Sequence, residues 1–149
     1  MAWREPQSRN SIRRVSADEN VAAVRDFIER AWNAGDEAVF EEHSAADLAH
    51  PGGRDGFKAI VLGFRSAFPD VPMEIRDIFG VEDKVVTRWT MRGTQKAAFL
   101  GIAPTGRHVE FDGIAIDIMR DGQPVDGWAQ FDRLGVLVQL GVIDPSAFG

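Results

Sequence analysis

The stretch that decides the fold lies between residues 101 and 141. It opens with Gly101-Ile102-Ala103-Pro104-Thr105-Gly106-Arg107, continues through the long segment His108–Met119 and the pair Asp121-Gly122, then reads Trp128-Ala129-Gln130-Phe131-Asp132 and closes on Gln139-Leu140-Gly141. This is a turn, a long strand, a tight hairpin and a second strand whose end carries polar groups. Working back towards the N-terminus, Met73–Phe79 and Val85–Arg92 are also alternating or continuously apolar, with Asp83-Lys84 as a turn between them, and the last strand is placed at Val125–Phe131.

Before Pro72 the period is helical. Ser16-Ala17-Asp18-Glu19 has the spacing of a capping box, and Val21, Val24, Phe27, Ile28, Ala31 and Trp32 follow at helical intervals until Asn33-Ala34-Gly35. Asp36 can cap a short second helix through His43. The Pro- and Gly-rich stretch from Asp47 to Gly56 is a loop, and a third helix is predicted from about Gly56 to Phe68, where Pro69 ends it. Asp132 is expected to cap a last helix over Arg133–Leu140. Helices followed by a meander of strands predict an α+β fold with an antiparallel sheet. Residues 1–16, with Arg4, Arg9, Arg13 and Arg14 among polar residues, read as a mobile N-terminal arm, and residues 17–149 as a single domain.

Composition narrows the function. A chain of 149 residues can bury a core and one small cavity. Its 17 basic and 23 acidic residues give a formal charge of −6, which argues against a nucleic-acid surface. The lack of cysteine removes disulfides, thiolate metal sites and cysteine nucleophiles, and the three histidines have no metal-ligand spacing, so no metal is expected. No apolar run is long enough to span a bilayer and residues 1–16 lack the apolar core of a signal peptide, so the expectation is a cytoplasmic protein with no membrane or nucleic-acid partner.

Both faces of the long strand are apolar. Val109, Phe111, Ala115 and Met119 share one, and Ile114, Ile116 and Ile118 the other. A second covered face predicts a homodimer or homotetramer through the sheet. Asp117 falls among the first set, where a carboxylate must be paired, hydrogen-bonded or raised in pKa; it is a candidate acid or base, or else a structural ion pair. Hydrophobicity alone aims Trp89 at the helices; if the outer face is a dimer interface, Trp89 can be buried there while Arg88 points into the cavity, beside Asp117, as a fixed cation, and the alternative is a solvated arginine. His50 sits in the loop that would close a cavity mouth and can exchange protons near neutrality, or is simply a loop residue. His43 reads as helix-end decoration and His108 as exposed. Phe64, Phe111, Met119 and Phe131, with Ala129 and Gln130 on the last strand, are the candidate substrate-binding wall.

Phe68-Pro69-Asp70, Arg88 with Arg92-Gly93-Thr94, Pro104-Thr105-Gly106-Arg107, Asp121-Gly122, Trp128, Asp132 and Gln139-Leu140-Gly141 occur in an order that resembles the SnoaL-like polyketide cyclases, over roughly Val21 to Val142. The resemblance implies the cone-shaped nuclear transport factor 2-like fold, a curved mixed or antiparallel sheet wrapped on N-terminal helices around an apolar cavity. It also implies a polyketide-like substrate, oligomers, and cofactor-free ring closure by intramolecular aldol condensation.

One position departs from that pattern. The aspartate that serves as acid and base in the family corresponds to Ala129, and a methyl group cannot move a proton. A polar cavity position of the family falls on Asp117, the mouth-loop position on His50, and a histidine frequent in relatives on Gln95. The carboxylate function is therefore expected to have moved to Asp117, with Arg88 and His50 or Gln130 assisting. Ala129 also keeps open a polyketide-tailoring hydroxylase component and a non-catalytic binding module of the same fold. A related epoxide-opening class uses one Arg and two Asp residues, which correspond to Arg88, Thr90 and Ala129; retention of one in three counts against it.

Overall fold

The computed structural model describes residues 14–70 and 72–148. The arm expected at residues 1–16 lies outside the described residues for its first thirteen positions. Helix α1 (Ala17–Phe27) starts on the anticipated capping box: Glu19 N donates to Ser16 Oγ at 3.2 Å and Ser16 N donates to the Glu19 carboxylate at 2.9 Å. It continues as a wider π-helical segment (Ile28–Ala34) that ends at Gly35, whose φ of 72° an L side chain adopts poorly. Helix α2 (Val39–His43) follows, with Asp36 accepting from Ala38 N at 3.0 Å.

Helix α3 (Gly53–Ala67) begins three residues earlier than the composition of the loop suggests, since Gly52, in the left-handed region, serves as its N-cap. The strands are β1 (Met73–Val81), β2 (Lys84–Thr94), β3 (His108–Arg120) and β4 (Gln123–Phe131), and α4 (Arg133–Gln139) closes the domain. Asp132 caps α4 as expected, accepting from Gly135 N at 2.8 Å.

The sheet is an antiparallel meander in the order β1-β2-β3-β4. Its inner face packs on α1, the π segment and α3, through a core that includes Val24, Ile28, Phe68, Val85, Trp89, Met91, Val109, Phe111 and Met119. The first hairpin turns at Glu82-Asp83, one residue before the expected pair, and the second at Asp121-Gly122.

Register decides between the two orientations open to β2 and overturns the one that aims Arg88 into the cavity. Trp89, 6% exposed, faces inward, not outward. It pairs with Gly113 on β3, and a Cβ at 113 would stand 2.1 Å from Trp89 Cζ2. The indole therefore lies across a backbone that glycine leaves bare, and Arg88 is turned to the outer face by the alternation of the strand. There Arg88 Nε donates to Asp77 at 2.7 Å.

The outer face is of two kinds. Charged side chains such as Glu74, Arg76, Arg92 and Glu110 pair with one another over one half. Across the other, Phe79, Val86, Ile116 and Trp128 form a row running over all four strands, with Ile114 alongside. Trp128 is 60% exposed, and Phe79 and Ile114 are also exposed.

Candidate active site

Between the sheet and the helices lies a cavity of about 370 Å³. Ala23, Val24, Phe27, Ile28 and Trp32 wall it from α1 and the π segment, Phe57, Ile60 and Phe64 from α3, and Thr87, Trp89, Ala115, Asp117, Gly127, Ala129 and Phe131 from the sheet. The π segment matters here because its extra width brings Trp32 edge-on to Phe64, ring centroids 5.5 Å apart. Phe64 also meets Phe131 at 5.7 Å, so helix and sheet are joined at that end by rings.

The loop between α2 and α3 closes the other end. Ala45 N donates to Pro124 O at 3.2 Å and Ala49 N to Val125 O at 2.8 Å, which fastens the loop to the start of β4. His50 is thereby held in the cavity wall next to Phe57. With Nδ1–H donating to Pro51 O at 2.9 Å, its Nε2 keeps a free lone pair.

Asp117 faces into the cavity from the middle of the inner sheet surface. Its carboxyl makes no hydrogen bond or ion pair with any described residue, and burial among apolar walls pushes its pKa up to about 6. The residue keeps some accessible surface, which the cavity interior supplies; the carboxyl is far from bulk solvent all the same. An unpaired, poorly solvated carboxylate of this kind is a stronger base than an exposed aspartate and still largely ionised at neutral pH.

The structure brings Asp117, His50, Phe64, Ala129 and Phe131 to this one cavity and leaves four other candidates out of it. Arg88 is on the opposite face of the sheet and pairs with Asp77, so it offers no cation to Asp117. Gln130 points outward opposite Ile114, because β4 alternates about Ala129. Phe111 is buried in the core behind Phe131, ring centroids 5.5 Å apart, and supports the wall without forming it. Met119 is buried beside a separate polar cleft at the hairpin ends, lined by Asn20, Glu82, Asp83 and Asp121 among others.

Polar cavity residues outside the sequence-derived candidates include His43, Arg133 and Thr87. His43, read as helix-end decoration, lines the cavity, with Nε2 3.0 Å from Asp26 on α1. Arg133 stands at the rim with its guanidinium 5.2 Å from the centre of the Phe131 ring. Thr87 is buried inside the cavity wall. His43 needed the packing of α1 against α2 to be seen, while Thr87 shares the inner face with Val85 and Met91 and was visible there as the polar exception. Among the described residues no group of three or more His, Asp or Glu could hold a metal ion, and no helix is long and apolar enough to cross a membrane.

The sequence profile of SnoaL-like polyketide cyclases matches residues 22–140. The chain belongs to the SnoaL-like polyketide cyclase family. Among solved structures it is similar to TsrD from Streptomyces laurentii, with 29% identity and a TM-score of 0.74 over 82% of this chain and 97% of that one. It is similar as well to AclR, a candidate hydroxylase from Streptomyces galilaeus, at 27% identity and a TM-score of 0.76, covering 87% of this chain and 100% of the other. IdmH, a candidate polyketide cyclase from Streptomyces antibioticus, shares 29% identity with a TM-score of 0.70 over 83% and 99% of the two chains. Among curated proteins none matches the chain by sequence. These likenesses establish the nuclear transport factor 2-like architecture of this SnoaL-like protein, in which helices pack on an antiparallel sheet around an apolar cavity.

Proposed function

We propose that this protein closes a ring in an aromatic polyketide-like substrate by cofactor-independent intramolecular aldol condensation, with Asp117 as the base. The observation that carries the reading is the unpartnered Asp117 carboxyl, raised to about 6 by burial, inside the apolar cavity of a family member. The apolar wall selects a flat, largely hydrocarbon substrate, and the confined volume folds the chain so that its two reacting carbons meet.

Ionised Asp117 removes a proton from the carbon next to a carbonyl. The C–H electron pair becomes the enolate double bond, and charge passes to the carbonyl oxygen. The enolate carbon attacks an aldehyde or ketone carbon in the same molecule, a C–C bond forms, and the resulting alkoxide takes back the proton held by Asp117, with His50, whose Nε2 carries a lone pair, assisting by accepting a hydrogen bond in the cavity. Atoms balance without any redox step, and the product has the mass of the substrate. The reaction belongs to the cytoplasmic assembly of a polyketide natural product.

A second reading, a tailoring hydroxylase component, is favoured by Ala129 on β4 and by the likeness to AclR. Incubation of the purified protein with linear and tricyclic polyketide esters, followed by mass and retention time, separates the two. Unchanged mass with a new retention time supports cyclisation. Gain of an oxygen supports hydroxylation, and binding without conversion supports a binding module.

The exposed row Phe79, Val86, Ile116 and Trp128 supports, in addition, a homodimer or homotetramer joined through the outer sheet face. The apolar half would be covered by a second copy, with the paired charges of the other half at its rim.

A further inference from the structure

Charge is divided unequally along the cavity. The carboxyls of Asp117 and Asp126 stand towards the end where β4 begins. His43 and His50 belong to that end too, because Gln123 Nε2 donates to Glu42 O at 2.8 Å and Ala49 N to Val125 O at 2.8 Å. At the other end, beyond Phe131, stands Arg133, the first residue of α4 and the one lysine or arginine among the described residues that line the cavity. Gly127 pairs with Asp117 and Phe131 lies further along β4, so Asp117 and Phe131 are roughly 13 Å apart along the strand at about 3.3 Å per residue.

The fold itself makes little use of Arg133. Its guanidinium lies 5.2 Å from the centre of the Phe131 ring and makes no hydrogen bond or ion pair with any described residue. The adjacent carboxylate of Asp132 is turned to the helix, where it accepts from Gly135 N at 2.8 Å. A cation in a first helical turn gains nothing from the helix either, since the peptide dipoles there favour negative charge. The ring beneath the guanidinium is held in place, with ring centroids 5.7 Å from Phe64 and 5.5 Å from Phe111. The rim thus carries a cation with its donors unused, leaning on a fixed aromatic surface and exposed, so a ligand reaches it without any rearrangement.

We propose that Arg133 binds a carboxylate carried by the substrate and so decides which end of the substrate reaches Asp117. The planar guanidinium matches a carboxylate with two parallel N–H···O bonds, and the ring it leans on continues the apolar wall along the attached frame. The opposite end of the cavity repels the same group, because Asp117 and Asp126 are acidic. The ligand class is therefore a flat acid of about three fused rings, held by its carboxylate at Arg133 with its far edge at Asp117. The free acid, not an ester of it, is the form that Arg133 retains. The inference rests on the reading of the cavity as the site of a flat polyketide-like substrate, and does not require Asp117 to be the base.

The test does not depend on turnover. Anthracene-2-carboxylate and its neutral counterpart anthracene-2-carboxamide are titrated at pH 7.5 into the full-length protein and into Arg133→Met, which keeps an apolar stem over Phe131 and removes the charge. The parent is expected to bind the carboxylate about tenfold tighter than the carboxamide. Arg133→Met should bind the two alike, with its affinity for the carboxamide and its melting temperature close to those of the parent. Arg133→Lys, which keeps the charge and loses the planar fork, should recover part of the preference. Added salt should weaken binding of the carboxylate alone.

Equal affinity of the parent for the two ligands would overturn the proposal, and so would a preference for the carboxylate that survives in Arg133→Met. If both ligands bind equally well, the role of Arg133 falls and the reading of the cavity stands. If neither binds, both fall together. With a carboxylate-bearing substrate, kcat/KM should drop in Arg133→Met by about the same tenfold factor as the affinity. Asp117→Asn, by contrast, should abolish turnover and leave the preference for the carboxylate in place, so the role of Arg133 and that of Asp117 are decided separately.

Discussion

Asp117 and Gly127 face each other across the β3–β4 ladder, and a Cβ built on Gly127 would come 3.4 Å from Asp117 Oδ1 and 2.9 Å from Ile116 O. The cavity is open above the carboxyl because the opposing residue has no side chain. The neighbour two positions further along β4, Ala129, adds only a methyl opposite Ala115. Gly127 and Ala129 thus leave β4 almost bare beside Asp117, whose carboxyl projects into the cavity from β3.

Gly127→Ala is therefore expected to crowd Asp117 and displace the edge strand by a few tenths of an ångström. Ligand affinity should fall and the pH midpoint of activity should move upward, as the carboxylate loses what little water it has. An unchanged pH profile would show that the space opposite Asp117 is not used.

Activity itself should rise with pH through about 6 and level off above it, since the base must be ionised. Asp117→Asn should abolish turnover at every pH while retaining ligand affinity. A profile without the inflection near 6, or a variant that still turns over, would take Asp117 out of the chemistry.

The same carboxyl sets a pH dependence of stability. Its folded pKa of about 6 lies above its ordinary value of 3.8, so its stabilising contribution is complete below 3.8 and is lost as pH rises to about 6. Above that, ionisation opposes folding, and Asp117→Asn should be more stable than the parent by about 2 kcal/mol at pH 7.5, somewhat less than the full shift because cavity water solvates the charge. Thermal melts at pH 3.5 and 7.5 check this: the gain should appear at the higher pH and vanish at the lower.

Gln95 is fully buried and holds the turn before β3 with four hydrogen bonds, Nε2 donating to Ile102 O and Ala103 O, and Oε1 accepting from Thr105 N and Thr105 Oγ1. Gln95→Ala should cost about 2–4 kcal/mol, measured by urea unfolding, because it leaves buried backbone groups unpaired. Arg88→Ala, which removes an exposed ion pair on the far face, should change neither stability nor turnover appreciably.

Trp128→Glu tests the outer face. It places a charge in the middle of the exposed apolar row and should convert an oligomer into a monomer, read by light scattering behind a sizing column. A parent protein that is already monomeric at tens of micromolar would dispose of the sheet-to-sheet interface.

Local patterns carried most of the architecture. The capping box at Ser16, the stop at Gly35, the end of α3 before Pro69, the hairpin at Asp121-Gly122 and the cap at Asp132 are encoded within a few residues, and each appears where those residues place it. The alternation in β3 put Asp117 on the face it shares with Val109, Phe111 and Met119. A carboxylate among apolar neighbours was thus readable in one strand.

Period and near neighbours in the chain suffice for the elements, their order, the inner face of β3 and the membership of a family. The tertiary structure alone decided which face of β2 is the inner one, because Val85, Thr87, Trp89 and Met91 and the alternating set Val86, Arg88, Thr90 and Arg92 each offered a plausible interior. The choice fell to a contact between distant residues, Trp89 lying over the bare backbone of Gly113, and it sent Arg88 outward and Thr87 inward. A single strand can state that its two faces differ, but only the surface it packs against determines which of them is buried.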